Sequence, residues 1–191
     1  MATVVLNISS LDLAKAWAEG GTTASELDSG ETTNAWQSDA GEDAQIIGQL
    51  DDYNAGGTVS SVQVSIVAFH GNARSGVITA GLDIKNAGGS TLYSEAVSVT
   101  TNGGAHALYN YTSRTTSDGS SAWTDSDLDG LYLHWVFEPP TAGSVILLQQ
   151  AYLTVTYSTA GYGHTVSGVA AANIGAVDGV ATANIEKVIG V

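Results

Sequence analysis

Apolar and polar residues alternate along several short stretches in the central part of the chain, residues 31–157. An alternation with a period of two places every second side chain on the same face of a β-strand. In the stretch 60–68 the shared face holds four apolar residues, Val62, Val64, Ile66 and Ala68. The other predicted strands span residues 77–84, 131–137, 145–148 and 151–157.

Segments rich in glycine, serine and asparagine separate these strands, and the only two prolines, Pro139 and Pro140, mark one further turn. Several short strands with frequent glycine turns and no long helical pattern are typical of a β-sandwich or jelly roll. We therefore predict an all-β fold, a single antiparallel β-sandwich or jelly roll over residues 31–157. An N-terminal arm would precede it, and a short C-terminal repeat segment would follow it.

The predicted N-terminal arm comprises residues 1–30 and opens with a strand-like run, Thr-Val-Val-Leu-Asn-Ile, at positions 3–8. Ser9 and Ser10 can then cap a short helix over residues 11–17. The two glycines at positions 20 and 21 would end this helix.

Residues 158–167 form a linker of small residues, and residues 168–191 contain an internal repeat of 11 residues. The copies 168–178 and 179–189 share Gly, Val, Ala, Ala, Asn, Ile and Val at equal offsets, and a third copy begins at Gly190. A period of 11 is compatible with three helical turns, but the glycines and β-branched residues disfavour a lone helix. The conformation of the repeat therefore stays open.

A repeat of this length has too few copies to bury its apolar residues against itself, since stacked repeats need about three or more units. It must pack on the sandwich, on copies of itself in an oligomer, or on another protein. Because the linker separates it from the sandwich, we favour an intermolecular role. The residues expected to carry this assembly role are Val169, Ile174, Val177, Val180, Ile185 and Val188.

Charge and composition exclude several classes of partner. The 191-residue chain has a net charge of −14 and only five Lys and Arg residues. Nucleic-acid binding requires clustered Lys and Arg to replace phosphate counterions, so we expect no nucleic-acid partner. The same charge disfavours anionic membrane surfaces, and neither a signal peptide nor an apolar span is visible. The absence of cysteine excludes disulfides and thiolate metal sites.

Four segments carry a resemblance to bacteriophage virion proteins of the β-sandwich type. They are Ser-Ser-Val-Gln-Val at 60–64, Val-Ser-Val-Thr-Thr at 97–101, Ala-Trp-Thr-Asp-Ser-Asp-Leu-Asp-Gly-Leu at 122–131 and Gln-Gln-Ala-Tyr-Leu-Thr-Val-Thr-Tyr at 149–157. The Gly-Val-Ala-x-Ala-Asn-Ile repeat likewise resembles C-terminal repeats of phage tail and structural proteins. The resemblance implies a location in the virion, after assembly in the host cytoplasm, and does not separate head from tail.

A calcium site is one interpretation of Asp125, Asp127 and Asp129, which match the first half of an Asp-x-Asp-x-Asp-Gly loop. Position 12 of such a loop should be a bidentate glutamate, and here it is Val136. The alternative, which we favour, is a short helical turn capped by Thr124.

Catalytic chemistry is not expected. The four histidines lie far apart in sequence and offer no zinc spacing; they are His70, His106, His134 and His164. No Gly-x-Ser-x-Gly motif and no phosphate-binding glycine loop occurs. We therefore predict no enzyme activity, no catalytic or cofactor-binding residues and no cofactor.

Aromatic residues are the remaining candidates for ligand contact, because they could form a surface on which sugars stack. Strand register places Trp135 in the core, whereas Tyr109 and Tyr111 share a strand face that could be exposed. The wider set consists of Trp17, Trp36, Trp123, Trp135, Tyr53, Tyr93, Tyr109, Tyr111 and Tyr132. Packing in the core or at its rim is the competing interpretation for each.

The sequence thus favours a non-enzymatic structural component of a bacteriophage virion, tail-associated as a fibre, tip or adaptor. Its partners would be copies of itself, for example in a trimer, and other virion proteins. The alternatives are a head decoration protein, or a carbohydrate-binding module that recognises a host surface glycan.

Overall fold

The computed structural model describes residues 1–15, 17–19, 24–28, 36–38, 43–71, 77–100, 105–138, 144–158, 176–177 and 180–181. Strands make up most of these segments. They are β1 (Ala2–Lys15), β2 (Trp17–Glu19), β3 (Trp36–Ser38), β4 (Ala44–Leu50), β5 (Thr58–Gly71), β6 (Ile78–Lys85), β7 (Thr91–Val99), β8 (Ala107–Asn110), β9 (Tyr132–Glu138), β10 (Val145–Ser158), β11 (Ala176–Val177) and β12 (Val180–Ala181). A 3-10 turn, Ala24–Leu27, and one α-helical turn, α1 (Asp125–Leu128), complete the described elements. None of the helical segments in this part of the chain has the length and apolarity of a membrane span.

Two antiparallel sheets form the body of the protein. In sheet I, β8 pairs with β5 and β5 with β10, while the other edge of β10 pairs with β1 and β3, and β3 with β2. In sheet II the order is β1, β4, β9, β6 and β7. The predicted all-β antiparallel sandwich is confirmed.

Strand β1 belongs to both sheets. Its first half pairs with β10 from Ala2↔Tyr157 to Asn7↔Tyr152, and its second half pairs with β4 from Ile8↔Leu50 onward. The chain therefore crosses from sheet I to sheet II between Asn7 and Ile8. This crossing joins the sheets along one side of the sandwich.

The predicted helix over residues 11–17 is wrong, because β1 continues to Lys15 and β2 begins at Trp17. Two turns of helix are marginal on their own, whereas pairing with β4 supplies backbone hydrogen bonds and packs Leu11 against the core. Residues 2–15 of the predicted arm form the single strand β1, which pairs with strands of both sheets. The division of the remaining chain into domains stays a prediction.

The core lies between the sheets and follows the predicted alternation. Val62, Val64, Ile66 and Ala68 are all buried, as their strand pattern predicts. Trp135 is also fully buried, which confirms its predicted place in the core.

In the repeat segment, the described residues form a small hairpin in which β11 pairs with β12 through Ala176↔Ala181 and Val177↔Val180. This hairpin is a two-stranded sheet separate from the sandwich sheets. The other predicted assembly residues lie outside the described residues, as does the linker after Ser158; they are Val169, Ile174, Ile185 and Val188.

Candidate functional site

The outer face of sheet II carries most of the polar side chains that the alternation of β9 and β6 leaves outside the core. Adjacent strands bring these side chains into rows across the sheet. Ile47 of β4, His134 of β9, Asp83 of β6 and Ser94 of β7 form the central row. We call this surface the polar face; its further members are Gln45, Gln49, Gly81, Lys85, Tyr132, Val136 and Glu138.

Asp83 connects its two neighbours in the central row. Its Oδ1 accepts a hydrogen bond of 2.6 Å from Ser94 Oγ. Its Oδ2 lies 3.8 Å from His134 Nδ1, which is too long for a hydrogen bond. Neither ring nitrogen of His134 has a hydrogen-bond partner in the described part of the chain, although both atoms are shielded from solvent.

The His134 side chain is only 19% exposed, and burial lowers the pKa of its imidazole. The positive charge of Lys85 lowers this pKa further, and the carboxylate of Asp83 partly opposes the shift. The imidazole is therefore neutral near pH 7, with one protonated and one unprotonated ring nitrogen.

A shallow depression opens beside His134 because Gly81 has no side chain. This depression has a volume of about 230 Å³, and its lining includes Asp83, Ser94, His134 and Glu138. A Cβ atom placed on Gly81 would meet only the carbonyl oxygen of Val136, at 3.4 Å. The floor is thus open toward solvent.

A second open cavity of about 360 Å³ adjoins the depression one row farther along the same strands. It is lined by Asp12, Ile47, Lys85 and Tyr132 together with the turn after β6. Lys85 pairs with Tyr132 two residues from the Asp83–His134 pair. Outward-facing rows recur at about 6.6 Å along a strand, so the two cavities lie on neighbouring rows of the same face.

The order of the central row differs from that of a nucleophilic triad. In such a triad a histidine lies between the nucleophile and the acid and accepts the nucleophile's proton. Here Ser94 donates to Asp83 instead, so His134 does not activate it. The polar face offers hydrogen-bond donors and acceptors to a ligand rather than an activated nucleophile.

The capped turn predicted for residues 124–129 is confirmed. Thr124 Oγ1 accepts a hydrogen bond from the backbone N–H of Asp127, and Asp127 Oδ2 accepts one from the backbone N–H of Thr124. Asp129 Oδ1 accepts a hydrogen bond of 3.0 Å from Tyr53 N–H, while Asp125 is exposed. Two of the three calcium candidates thus serve the fold, and the described residues contain no acid or histidine cluster suited to a metal.

The other two histidines in the described part of the chain lie apart from His134. His70 is buried in β5. His106 packs edge-on against Phe69 with ring centroids 4.7 Å apart, and burial lowers the pKa of its imidazole. His164 lies outside the described residues.

The aromatic residues do not form one stacking surface. Three tryptophans are buried, and Trp17 is half-buried with its Nε1 donating to Gln45 O. Tyr111 is buried and donates to Ala80 O, so the exposed position considered for it is wrong, whereas Tyr109 is half-buried and bonded to Thr100. Tyr132 lies on the polar face. The other aromatic residues placed in the core or its rim are Trp36, Trp123, Trp135, Tyr53 and Tyr93.

The predicted candidates did not include Asp83, Gly81 or Glu138. Their signal in the sequence is the polar half of the alternation in residues 78–85 and 132–138. That alternation places each residue on an outer face but cannot show that β6 and β9 are neighbours.

No family model and no curated protein matches the chain. Among solved structures, a family 35 carbohydrate-binding module from Clostridium thermocellum is 9% identical, with 83% of this chain and 100% of that chain covered and a TM-score of 0.45. The enzymatically active domain of tailspike protein 4 from bacteriophage CBA120 is 8% identical, with coverages of 81% and 19% and a TM-score of 0.45. An arabinose-bound α-L-arabinofuranosidase is 12% identical, with coverages of 68% and 21% and a TM-score of 0.41. This chain thus spans about a fifth of the latter two proteins, and similarities this low assign neither family nor ligand.

Proposed function

We propose that this chain is a non-enzymatic module that binds a saccharide on the polar face of sheet II. The observation that carries the proposal is the open depression of about 230 Å³ in this face, which is lined by the polar side chains of Asp83, Ser94, His134 and Glu138. A concave surface on which a few polar side chains converge is typical of sites that bind small ligands.

Sugar hydroxyls fit the chemistry of this face. A hydroxyl group both donates and accepts hydrogen bonds, so it can pair with the hydroxyl of Ser94 and with the carboxylates that line the depression. The carboxylates of Asp83 and Glu138 accept hydrogen bonds from neighbouring hydroxyls. Tyr132 supplies an aromatic ring in the adjoining cavity.

The side chains of the polar face are positioned by paired strands rather than by loops. Asp83, His134 and Gly81 all lie within the paired ladder of β6 and β9. A ligand therefore meets a site that is already ordered, which lowers the entropy lost on binding. With a net charge of −14, the protein disfavours polyanionic sugars and accepts neutral ones.

Isothermal titration against a panel of neutral oligosaccharides tests this proposal with Gly81→Val. Space at Gly81 accepts a Cβ atom, so valine should leave the thermal midpoint unchanged while its methyl groups fill the depression. We expect an affinity loss of at least about tenfold, or 1.4 kcal/mol. The matched control is Thr154→Val, on the outer face of sheet I, which should bind normally. Absence of binding to every sugar, or equal binding by Gly81→Val, would refute the proposal.

A second candidate function is structural, and the 11-residue repeat favours it. We propose that the chain is a component of a bacteriophage virion, tail-associated rather than a head decoration. The two functions are compatible, since a tail protein can also bind a host surface glycan. Immunogold labelling of purified particles with antibody to this chain should mark the tail. Unlabelled particles, or label on the head, would contradict this assignment.

A further inference from the structure

The first half of β1, Ala2–Asn7, is an edge strand of sheet I. It pairs with β10 on one side, and no described strand lies on its other side. The outward carbonyl of Asn7 accepts a hydrogen bond of 2.9 Å from the backbone N–H of Asp51. Backbone groups alternate in direction along an antiparallel strand, so those of Thr3 and Val5 also point outward.

This edge lacks the features by which proteins protect edge strands from pairing. Those features are short length, charged residues, proline and bulges. Ala2–Asn7 contains neither proline nor a charged residue, and its register with β10 is continuous. The other described edges differ: β8 and β2 are short, and the second half of β1 carries two register shifts and Asp12.

The outer edge of β7, the last strand of sheet II, is covered by another segment of the chain. Strand β7 is held by the segment after β8, because Glu95 accepts hydrogen bonds from Thr112 N–H and Arg114 Nη2. Tyr93 of β7 donates to Thr116 O at 2.6 Å. Among the described edges, the first half of β1 is thus neither short nor shifted in register, and another segment is hydrogen-bonded to it at Asn7.

An open cleft of about 610 Å³ runs beside this edge. Its walls are Val4, Val5 and Leu6 on one side and the segment 51–55 on the other. Val5 is 37% exposed. The cleft therefore combines outward backbone groups with the exposed apolar side chain of Val5, and both kinds of contact are used when a β-strand is added to a sheet edge.

The hairpin β11–β12 has no third strand to pair with among the described residues. A two-stranded hairpin is at best marginally stable alone in water, and this one is separate from the sandwich sheets. Both strands contain only alanine and valine. They therefore bring no negative charge that Asp51 and Asp52, at the rim of the cleft, would repel.

We propose that the β11–β12 hairpin of a second copy of this chain adds to the edge of β1 in the cleft. Strand β10 ends at Ser158, one residue beyond the pair that Tyr157 forms with Ala2 at the start of β1. The connection from Ser158 to Ala176 reaches about 60 Å when fully extended, which is sufficient to reach a neighbouring copy. Each copy gives one hairpin and accepts one, so the contact builds a dimer, a ring or an open chain of copies.

Sedimentation velocity of the full chain over a concentration series tests the edge. Val5→Pro removes an outward N–H, which edge strands tolerate, whereas the control Val5→Thr keeps this N–H. We expect oligomers for the unchanged chain and for Val5→Thr, and the 19.4 kDa monomer for Val5→Pro. A monomeric unchanged chain, or oligomers of Val5→Pro equal to those of Val5→Thr, would overturn the proposal.

A disulfide experiment identifies the occupant independently of any effect of proline on the fold. The chain has no cysteine, so Val5→Cys and Val180→Cys variants can be mixed and oxidised without background. We expect a covalent heterodimer in high yield, and little from Leu108→Cys mixed with Val180→Cys, although Leu108 is 55% exposed on edge strand β8. Equal yields from both mixtures would overturn the proposal. So would a double variant, Val5→Cys with Val180→Cys, that forms only an intrachain disulfide, because the hairpin would then pair within its own chain.

Discussion

Replacing Arg114 with methionine should release the segment that covers strand β7. Arg114 Nη2 lies 3.1 Å from Glu95 Oε1, and its guanidinium carbon lies 4.5 Å from the centre of the Tyr93 ring. The backbone of Arg114 also exchanges two hydrogen bonds with Val62, which the substitution leaves in place. The change therefore isolates the contribution of the guanidinium group.

The expected loss follows from these contacts. A cation–π contact of a partly exposed arginine contributes about 0.5–1 kcal/mol, and a hydrogen bond to a charged group about 1.5–3 kcal/mol. The side chains of Arg114 and Glu95 are 26% and 14% exposed, so solvent screens part of the second contribution. Methionine retains the packing of the aliphatic stem. We expect the free energy of unfolding to fall by about 2 kcal/mol, which lowers the thermal midpoint by about 4–8 °C in a chain of this size.

Urea denaturation and calorimetry measure both quantities. The matched control is Lys85→Met, because Lys85 lies on the open polar face and has no salt bridge within the described residues. That control should change stability by less than about 0.5 kcal/mol. A double-mutant cycle with Glu95→Gln should give a coupling energy of about 1 kcal/mol. If Arg114→Met and Lys85→Met are equally stable, the contacts of Arg114 with Glu95 and Tyr93 are not a source of stability.

Thr124→Ala removes the cap of α1 and should lower the free energy of unfolding, measured in urea, by about 1 kcal/mol. Added calcium should leave the thermal midpoint of the unchanged chain unaltered. A calcium-dependent rise of this midpoint would restore the metal interpretation. His106 and His134 have folded-state pKa values below the ordinary value, chiefly through burial. The unfolded chain therefore binds more protons, and stability should fall as pH drops below about 6.5 through the lowered values. Replacing both histidines with glutamine should flatten the stability profile between pH 7 and 5, and an unchanged slope would contradict the pKa shifts. Tyr111→Phe removes the buried bond to Ala80 O and should cost about 1 kcal/mol; a loss below about 0.3 kcal/mol would show that the bond contributes little net stability.

Where local chemistry decides the structure, the sequence was sufficient. The alternation at 60–68 predicted the buried face of β5. When one face of a strand packs on a core, the apolar set of alternating residues must be the set that faces it. The Thr124 cap is local too, because its partner Asp127 lies three residues away.

Residues 11–17 show where local reasoning failed. Two serines before a segment of mixed apolar and polar residues are compatible with the start of a helix. In the structure, however, this segment forms an antiparallel pair with β4, which lies about 30 residues later in the chain. Tertiary pairing overrides weak local propensity. The same long-range pairing carries β1 from one sheet to the other.

The polar face depended on the tertiary structure for the same reason. The sequence by itself determined that Asp83 and His134 point away from the core, through the alternation of their strands. Only the pairing of β6 with β9 placed the two side chains 3.8 Å apart, and only the gap at Gly81 between them and Glu138 made a depression. Strand order arises from the packing of the whole sandwich, to which many distant residues contribute, so no short segment of sequence encodes it.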